Sequence, residues 1–310
     1  MTESTQSPRI TDWQAALLAR HRLGRNYLSS AQEWFDPLAN SIAAHHDGAL
    51  GPILVAVNGS QGSGKTTLCD YLQAVLTAQY GKRALALSID DFYLTRHERQ
   101  CLAESVHPLC ATRGVPGTHD ISLLKTTVAQ LLDPARSSDV VIPSFDKATD
   151  DRKPPKELER WSGALDIVLL EGWCLGVRPQ EEQALEMPIN TLEEQEDSDG
   201  VWRRWVNHCL ANDYLPLYDC VDFWVMLAAP DFDCVLDWRS EQEQKLRESL
   251  TDDSIPNALQ SAEDLQRFVQ HYERLTKECL ATLPGHVGYL LSLDAQRNVR
   301  AVSHRLLGRT

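Results

Sequence analysis

Gly59-Ser60-Gln61-Gly62-Ser63-Gly64-Lys65-Thr66 matches the pattern G-x-x-x-x-G-K-[ST] at every fixed position, and this stretch decides the fold. Before it runs Ile53-Leu54-Val55-Ala56-Val57, a short apolar segment of the kind that forms buried strands in parallel sheets. After it, Thr66 to Tyr80 reads as a helix closed by Gly81 at its C-cap. Strand, glycine-rich turn and helix together form a phosphate-binding loop. Glycines let backbone N–H groups turn inward around phosphate oxygens, and the helix N-terminus adds the positive end of its dipole. Lys65 is placed to reach β- and γ-phosphates, Thr66 to offer a hydroxyl to Mg2+, and Thr67 to extend the same cradle.

Further apolar strands follow at Ala84–Ile89, Leu165–Leu170, Val221–Leu227 and Gly288–Leu293, with a short edge-like strand at Val140–Ile142. Helical segments separate them at about 120–132, 201–216, 231–250 and 261–280. The alternation predicts an α/β fold: a doubly wound, mostly parallel sheet of P-loop NTPase type with helices on both faces and ligands at the strand C-termini. Residues 1–10 read as a disordered tail, and apolar spacing from Trp13 to Ile42 as two helices packed onto the main domain. The expected division is an extension over 1–48 and a kinase domain over 49–310. Within that domain, residues 144–163 read as a charged, proline-rich surface loop on the substrate side. Residues 181–199 carry eight acids and no Lys or Arg, and read as a solvated acidic insertion without chemistry.

The composition is that of a globular protein: 310 residues, 43% hydrophobic and 24% charged. A net charge of −14 repels nucleic acid and anionic lipid, so neither is an expected partner. Eight cysteines without a C-x-x-C pair argue against zinc or a disulfide framework and for reduced thiols in the cytoplasm. The N-terminus has no apolar signal region, and no stretch approaches the ~20 residues of a membrane span.

Two acids stand at strand ends. Asp90, in Ser88-Ile89-Asp90-Asp91-Phe92-Tyr93, would sit beside the phosphate loop and orient or deprotonate an acceptor hydroxyl. Asp91 can cap a helix or contact metal-bound water. Glu171, closing Ile167-Val168-Leu169-Leu170-Glu171-Gly172, would face Thr66 across the site and hold the Mg2+ hydration shell, with Gly172 leaving room for phosphate. The chain carries no N-K-x-D guanine motif and no L-S-G-G-Q signature. The expected activity is transfer of the γ-phosphoryl group of ATP to a small hydroxylated metabolite, with ATP and Mg2+ as cofactors.

With these residues in place the chain resembles the phosphoribulokinase, uridine kinase and pantothenate kinase group, and within it the D-glycerate 3-kinases of plant and fungal type. The resemblance runs from about residue 50 to 300. It rests on Arg113-Gly114-Val115-Pro116-Gly117-Thr118-His119-Asp120, on Pro143-Ser144-Phe145-Asp146-Lys147 with Asp151-Arg152, on Glu171-Gly172-Trp173-Cys174-Leu175-Gly176-Val177-Arg178-Pro179, and on Trp238-Arg239 with Glu243. The family usually has a serine after the lysine and glycines before the D-R pair, where this chain has Ala148 and Thr149-Asp150. The resemblance implies D-glycerate as acceptor and 3-phosphoglycerate as product. A carboxylate on the acceptor calls for charge-assisted contacts, and Arg113, His119, Lys147, Arg152 and Arg178 are the candidates, beside Asp90 and Tyr93. Arg239 is the expected lid arginine for charge on the transferring phosphoryl. His119-Asp120 can equally cap the helix at Ile121. Pantothenate, a nucleoside or a sugar phosphate as acceptor, and a non-catalytic ATP-binding regulator, stay open alternatives, as does the oligomeric state.

Overall fold

The structure is a computed structural model that describes residues 10–136, 138–249 and 262–305, with side chains of 242–249 and 262 outside the description. Residues 1–9 of the tail expected over 1–10, and the side chain of Glu243, therefore lie outside the described residues. Helices α1 (Asp12–His21), α2 (Asn26–Trp34) and α3 (Asp36–Asp47) lead into β1 (Ile53–Gly59) and α4 (Lys65–Tyr80). β2 (Ala84–Ser88), α5 (Arg96–Ser105) and α6 (Ile121–Leu131) follow. Then come four two-residue strands, β3 (Val140–Val141), β4 (Phe145–Asp146), β5 (Asp151–Arg152) and β6 (Arg160–Trp161), and the long β7 (Ile167–Gly172). Beyond it lie α7 (Thr191–Glu196), α8 (Val201–Cys209), α9 (Leu215–Tyr218), β8 (Phe223–Ala228), α10 (Phe232–Ser249), α11 (Ala262–Thr282), β9 (Tyr289–Leu293) and β10 (Val299–His304).

The main sheet has the order β10-β9-β8-β1-β7-β2. Every neighbouring pair is parallel except β9 with β10. Side chains alternate across β1 and β7. Leu54, Ala56, Val168 and Leu170 enter one core with residues of α6, α8 and α11. Ile53, Val55, Val57, Ile167 and Leu169 enter another with α3, α4 and Val235 of α10. Helices thus cover both faces, which explains why these strands are apolar throughout rather than alternating. Register places Glu171 between Val57 and Ser88, so the acid-bearing end of β7 lies between the phosphate loop and the turn after β2. Among the described residues no helix is long and apolar enough to cross a membrane.

The structure departs from the sequence reading at several points. The N-terminal segment is three helices, not two: Pro37 sits in the first turn of α3, where its missing N–H costs nothing and a new helix starts. Val140–Val141 leaves the main sheet and pairs with β6 in a separate ribbon. The 144–163 loop contains a β4–β5 hairpin. β10 gave no apolar run because only Val299 of its six residues is buried.

The acidic segment is not simply solvated. Glu193 and Asp197 are each 1% exposed. Glu193 pairs with Arg274 of α11 at 2.6 Å and Asp197 with Arg203 of α8 at 2.9 Å. Both guanidiniums also donate to backbone carbonyls of the segment, Arg203 to Leu185 and Arg274 to Ala184 and Met187. Burial without such partners would cost several kcal/mol per ion, so the acids and arginines specify one docked position.

Candidate active site

The phosphate loop turns through left-handed φ at Gly62 (79°) and Gly64 (92°), which only glycine adopts without strain. A Cβ on Gly62 would stand 2.6 Å from Cβ of Trp238, so α10 closes directly over the loop. The hydroxyls of Ser60 and Ser63 are buried and meet no hydrogen-bond partner among the described residues. Native proteins leave few such groups unpaired, and here an anion's oxygens would complete them. Thr66 Oγ1 donates to Glu171 Oε1 at 2.9 Å, and Lys65 Nζ lies 3.7 Å from Glu171 Oε2, an orphaned carboxylate oxygen. Glycine cradle, orphan hydroxyls and a spare carboxylate oxygen fit a nucleotide triphosphate with a divalent cation. Gly172 also has a packing reason to be glycine. A Cβ there would strike Ile89 at 2.6 Å, so its bareness serves packing of the turn after β2.

That turn, a single 3-10 helix over Ile89–Phe92, presents Asp90. Its Oδ1 accepts from the Tyr93 hydroxyl at 2.9 Å and its Oδ2 from Lys147 Nζ at 2.7 Å. Burial pushes the Asp90 carboxyl up, but Lys147 and then Lys65 outweigh it and hold the group well below the ordinary carboxylate range. Burial raises the Tyr93 phenol well above its usual value, so it remains a donor. Asp91 turns away from the site. It accepts the Phe145 N–H at 3.1 Å and so fixes the hairpin that carries Lys147.

The expected acceptor residues divide. Lys147 reaches Asp90. His119 stacks on Tyr93 with ring centroids 4.4 Å apart, and the two residues also bridge through their backbones. Asp120 caps α6 through the Leu123 N–H. Arg113 lies over the Phe145 ring and bonds Asp150. Arg152 donates to Asp120 and to the Tyr93 carbonyl. Arg178 is exposed and makes no ion pair among the described residues. Arg239 lies over the Phe268 ring of α11 at 5.4 Å.

Several contributors escaped the sequence reading. Arg99 on α5 is 1% exposed and, with Arg113, holds both oxygens of Asp150. Tyr272 of α11 donates to the Arg113 carbonyl at 3.1 Å and packs edge-on against Trp173. Tyr214 meets His119. The i, i+4 aromatic pair Phe268 and Tyr272 was visible in the sequence, but nothing in it located the face these residues cover.

No family model matches the chain. It is 30% identical over 250 residues to a Schizosaccharomyces pombe protein described as the uncharacterized kinase mug58, spanning 78% of this chain and 83% of that one. It is 28% identical over 253 residues to the chloroplastic D-glycerate 3-kinase of Arabidopsis thaliana, spanning 79% of this chain and 49%, about half, of the plant protein. Its structure matches that of D-glycerate 3-kinase from Cryptococcus neoformans var. grubii with a TM-score of 0.66 at 26% identity, covering 86% of this chain and 96% of that one.

Proposed function

The chain belongs to the P-loop kinases of D-glycerate 3-kinase type, and we propose that the small metabolite it phosphorylates is D-glycerate, yielding 3-phosphoglycerate. The observation that carries this reading is the pairing of Asp90 with Lys147 at a strand end beside the phosphate loop. One residue there can accept from a hydroxyl and its neighbour can receive a carboxylate, which is what a hydroxy acid presents.

ATP with Mg2+ supplies the phosphoryl group and neutralises the charge that develops on it. The residues that would hold them are Lys65, Thr66, Thr67 and the loop amides of Gly59 to Gly64, with Glu171 binding the metal's water shell. Asp90 accepts the hydrogen bond of the acceptor hydroxyl and orients it for in-line attack. A carboxylate held this low is a weak base, but phosphoryl transfer through a loose transition state depends chiefly on positioning and electrostatics. Lys147 draws in the acceptor carboxylate, and in doing so releases Asp90 from its own ion pair. Tyr93 keeps the Asp90 carboxylate turned toward the site. Arg239 is assigned to charge on the transferring group, and Arg113, His119, Arg152 and Arg178 to the acceptor side. A domain running from 49 to 310 with a helical extension over 1–48, and a cytoplasmic setting supported by eight free thiols, complete the proposal.

The test is ADP release with Mg2+ and ATP, offering D-glycerate, pantothenate, uridine and ribulose 5-phosphate separately, with Asp90→Ala as control. Turnover with glycerate alone, lost in the variant, supports the assignment. Turnover only with another acceptor discards the substrate and keeps the class.

A further inference from the structure

Between α8 and α9 the helix widens into a π-turn over Leu210–Tyr214. Pro216 follows two residues after Tyr214, and its ring cannot sit over the carbonyl four residues back, so the regular ladder breaks here. Single π-turns inside helices occur often at functional sites, because the extra residue re-aims a side chain. The side chain at the end of this one is Tyr214, which is fully buried. Its hydroxyl lies 2.6 Å from His119 Nδ1.

His119 is 4% exposed, and its other ring nitrogen, Nε2, meets no hydrogen-bond partner among the described residues. Burial holds the imidazole neutral, with its pKa pushed down to about 4. A neutral ring carries one proton, so the direction of the Tyr214 contact decides which nitrogen has it. The imidazole lone pair is the better acceptor and the phenol the better donor. The Gly117 amide also approaches the phenol oxygen, which can accept there while its proton goes to Nδ1.

We propose that Tyr214 is a positioning residue that locks His119 in the Nε2–H tautomer, leaving one fixed, buried donor for an oxygen of the acceptor. The ring is stacked on Tyr93, whose hydroxyl holds Asp90, which brings the imidazole into the surroundings of that carboxylate. An orphaned buried N–H is costly, and a bond to an acceptor oxygen removes that cost. The opposite tautomer would present a lone pair instead, which repels a carboxylate oxygen and could only accept from a hydroxyl. The inference rests on the reading of the Asp90 site as the acceptor subsite.

Two measurements separate its failure from that of the substrate assignment. Heteronuclear NMR of the ring nitrogens in the unliganded full chain at pH 7 needs no acceptor. The expected result is a protonated Nε2 and a bare Nδ1 on His119, and the reverse pattern or a charged ring overturns the proposal. Kinetics then use whichever acceptor the panel finds active. Tyr214→Phe should raise the acceptor KM about tenfold, the scale of one lost hydrogen bond, with the KM for ATP unchanged. His119→Gln, which keeps an N–H near the Nε2 position, should raise the acceptor KM clearly less than His119→Asn, which should match Tyr214→Phe. Equal acceptor KM values for the Gln and Asn variants, or parallel rises for ATP and acceptor, overturn it even if Tyr214→Phe does not fold.

Discussion

Replacing Lys147 by methionine separates recognition of the acceptor from stability of the fold. The Lys147 side chain is 60% exposed and Asp90 26% exposed, with 2.7 Å between Nζ and Oδ2. Solvent screens such a pair, so its loss should cost the fold no more than about 1 kcal/mol. The expected effect on the acceptor is larger. A charge-assisted hydrogen bond to a carboxylate contributes roughly 1.5–3 kcal/mol, which is about 10- to 150-fold in kcat/KM. Glycerol offers the same hydroxyl chemistry without a carboxylate and should lose little. The assay is coupled ADP release with glycerate and with glycerol, read as the ratio of the two kcat/KM values. A second signature follows from Asp90. Lys147 is the largest influence lowering its carboxyl, so in the variant that carboxyl rises, and activity that needs it ionised should fail at higher pH as the medium is acidified. A ratio unchanged within about twofold, together with an unmoved acid limb, would refute the assignment of Lys147 to the acceptor.

Glu171→Gln should raise the Mg2+ concentration for half-maximal activity by about 10- to 100-fold, since outer-shell partners of a metal contribute on that scale, while binding of metal-free ATP changes little. Titration of Mg2+ at fixed ATP checks this. Arg274→Met strands Glu193 in the core and should lower the unfolding free energy by about 3–5 kcal/mol, with Glu193→Leu in the same chain recovering much of it in denaturant titrations. Acid should also weaken the fold. Burial pushes His119 and His271 to about 4, below the ordinary value of 6.5, so the unfolded chain binds more protons between these limits and stability falls as pH drops through that window. From pH 7 to 5 the loss should be about 2 kcal/mol for each histidine, and a flat unfolding free energy over that range would contradict the buried neutral state.

What could be read in advance was local. The phosphate loop announces itself because its glycines, lysine and threonine must stand at fixed offsets between a strand and a helix. Asp90 and Glu171 followed because each ends an apolar strand, and parallel topology brings strand ends together. What failed depended on contacts between distant elements. The acids of 181–199 looked solvated because their partners, Arg203 and Arg274, lie on helices outside the run. Tyr214 and His119 are 95 positions apart, and the π-turn that joins them has no composition signal beyond Pro216.

The departure from the family pattern at residues 148–150 shows how such contacts reassign roles among similar residues. Asp150 adopts φ 57°, a left-handed conformation that glycine takes freely and aspartate tolerates better than most. Its carboxylate is anchored by the buried Arg99 and by Arg113, and its carbonyl also accepts from Arg99. The strain at Asp150 is therefore held by two guanidiniums. Arg113 pays its charge into that structure and is engaged before any acceptor arrives. Arg152 is likewise committed to Asp120 and to the Tyr93 carbonyl. Of the basic residues gathered near Asp90, Lys147 is the one whose partner is Asp90 itself, on a side chain exposed enough to swing. In the proposed reading, charge recognition of the acceptor begins with a lysine on a hairpin, and Arg113 and Arg152, on the same side, also help to hold that hairpin in place.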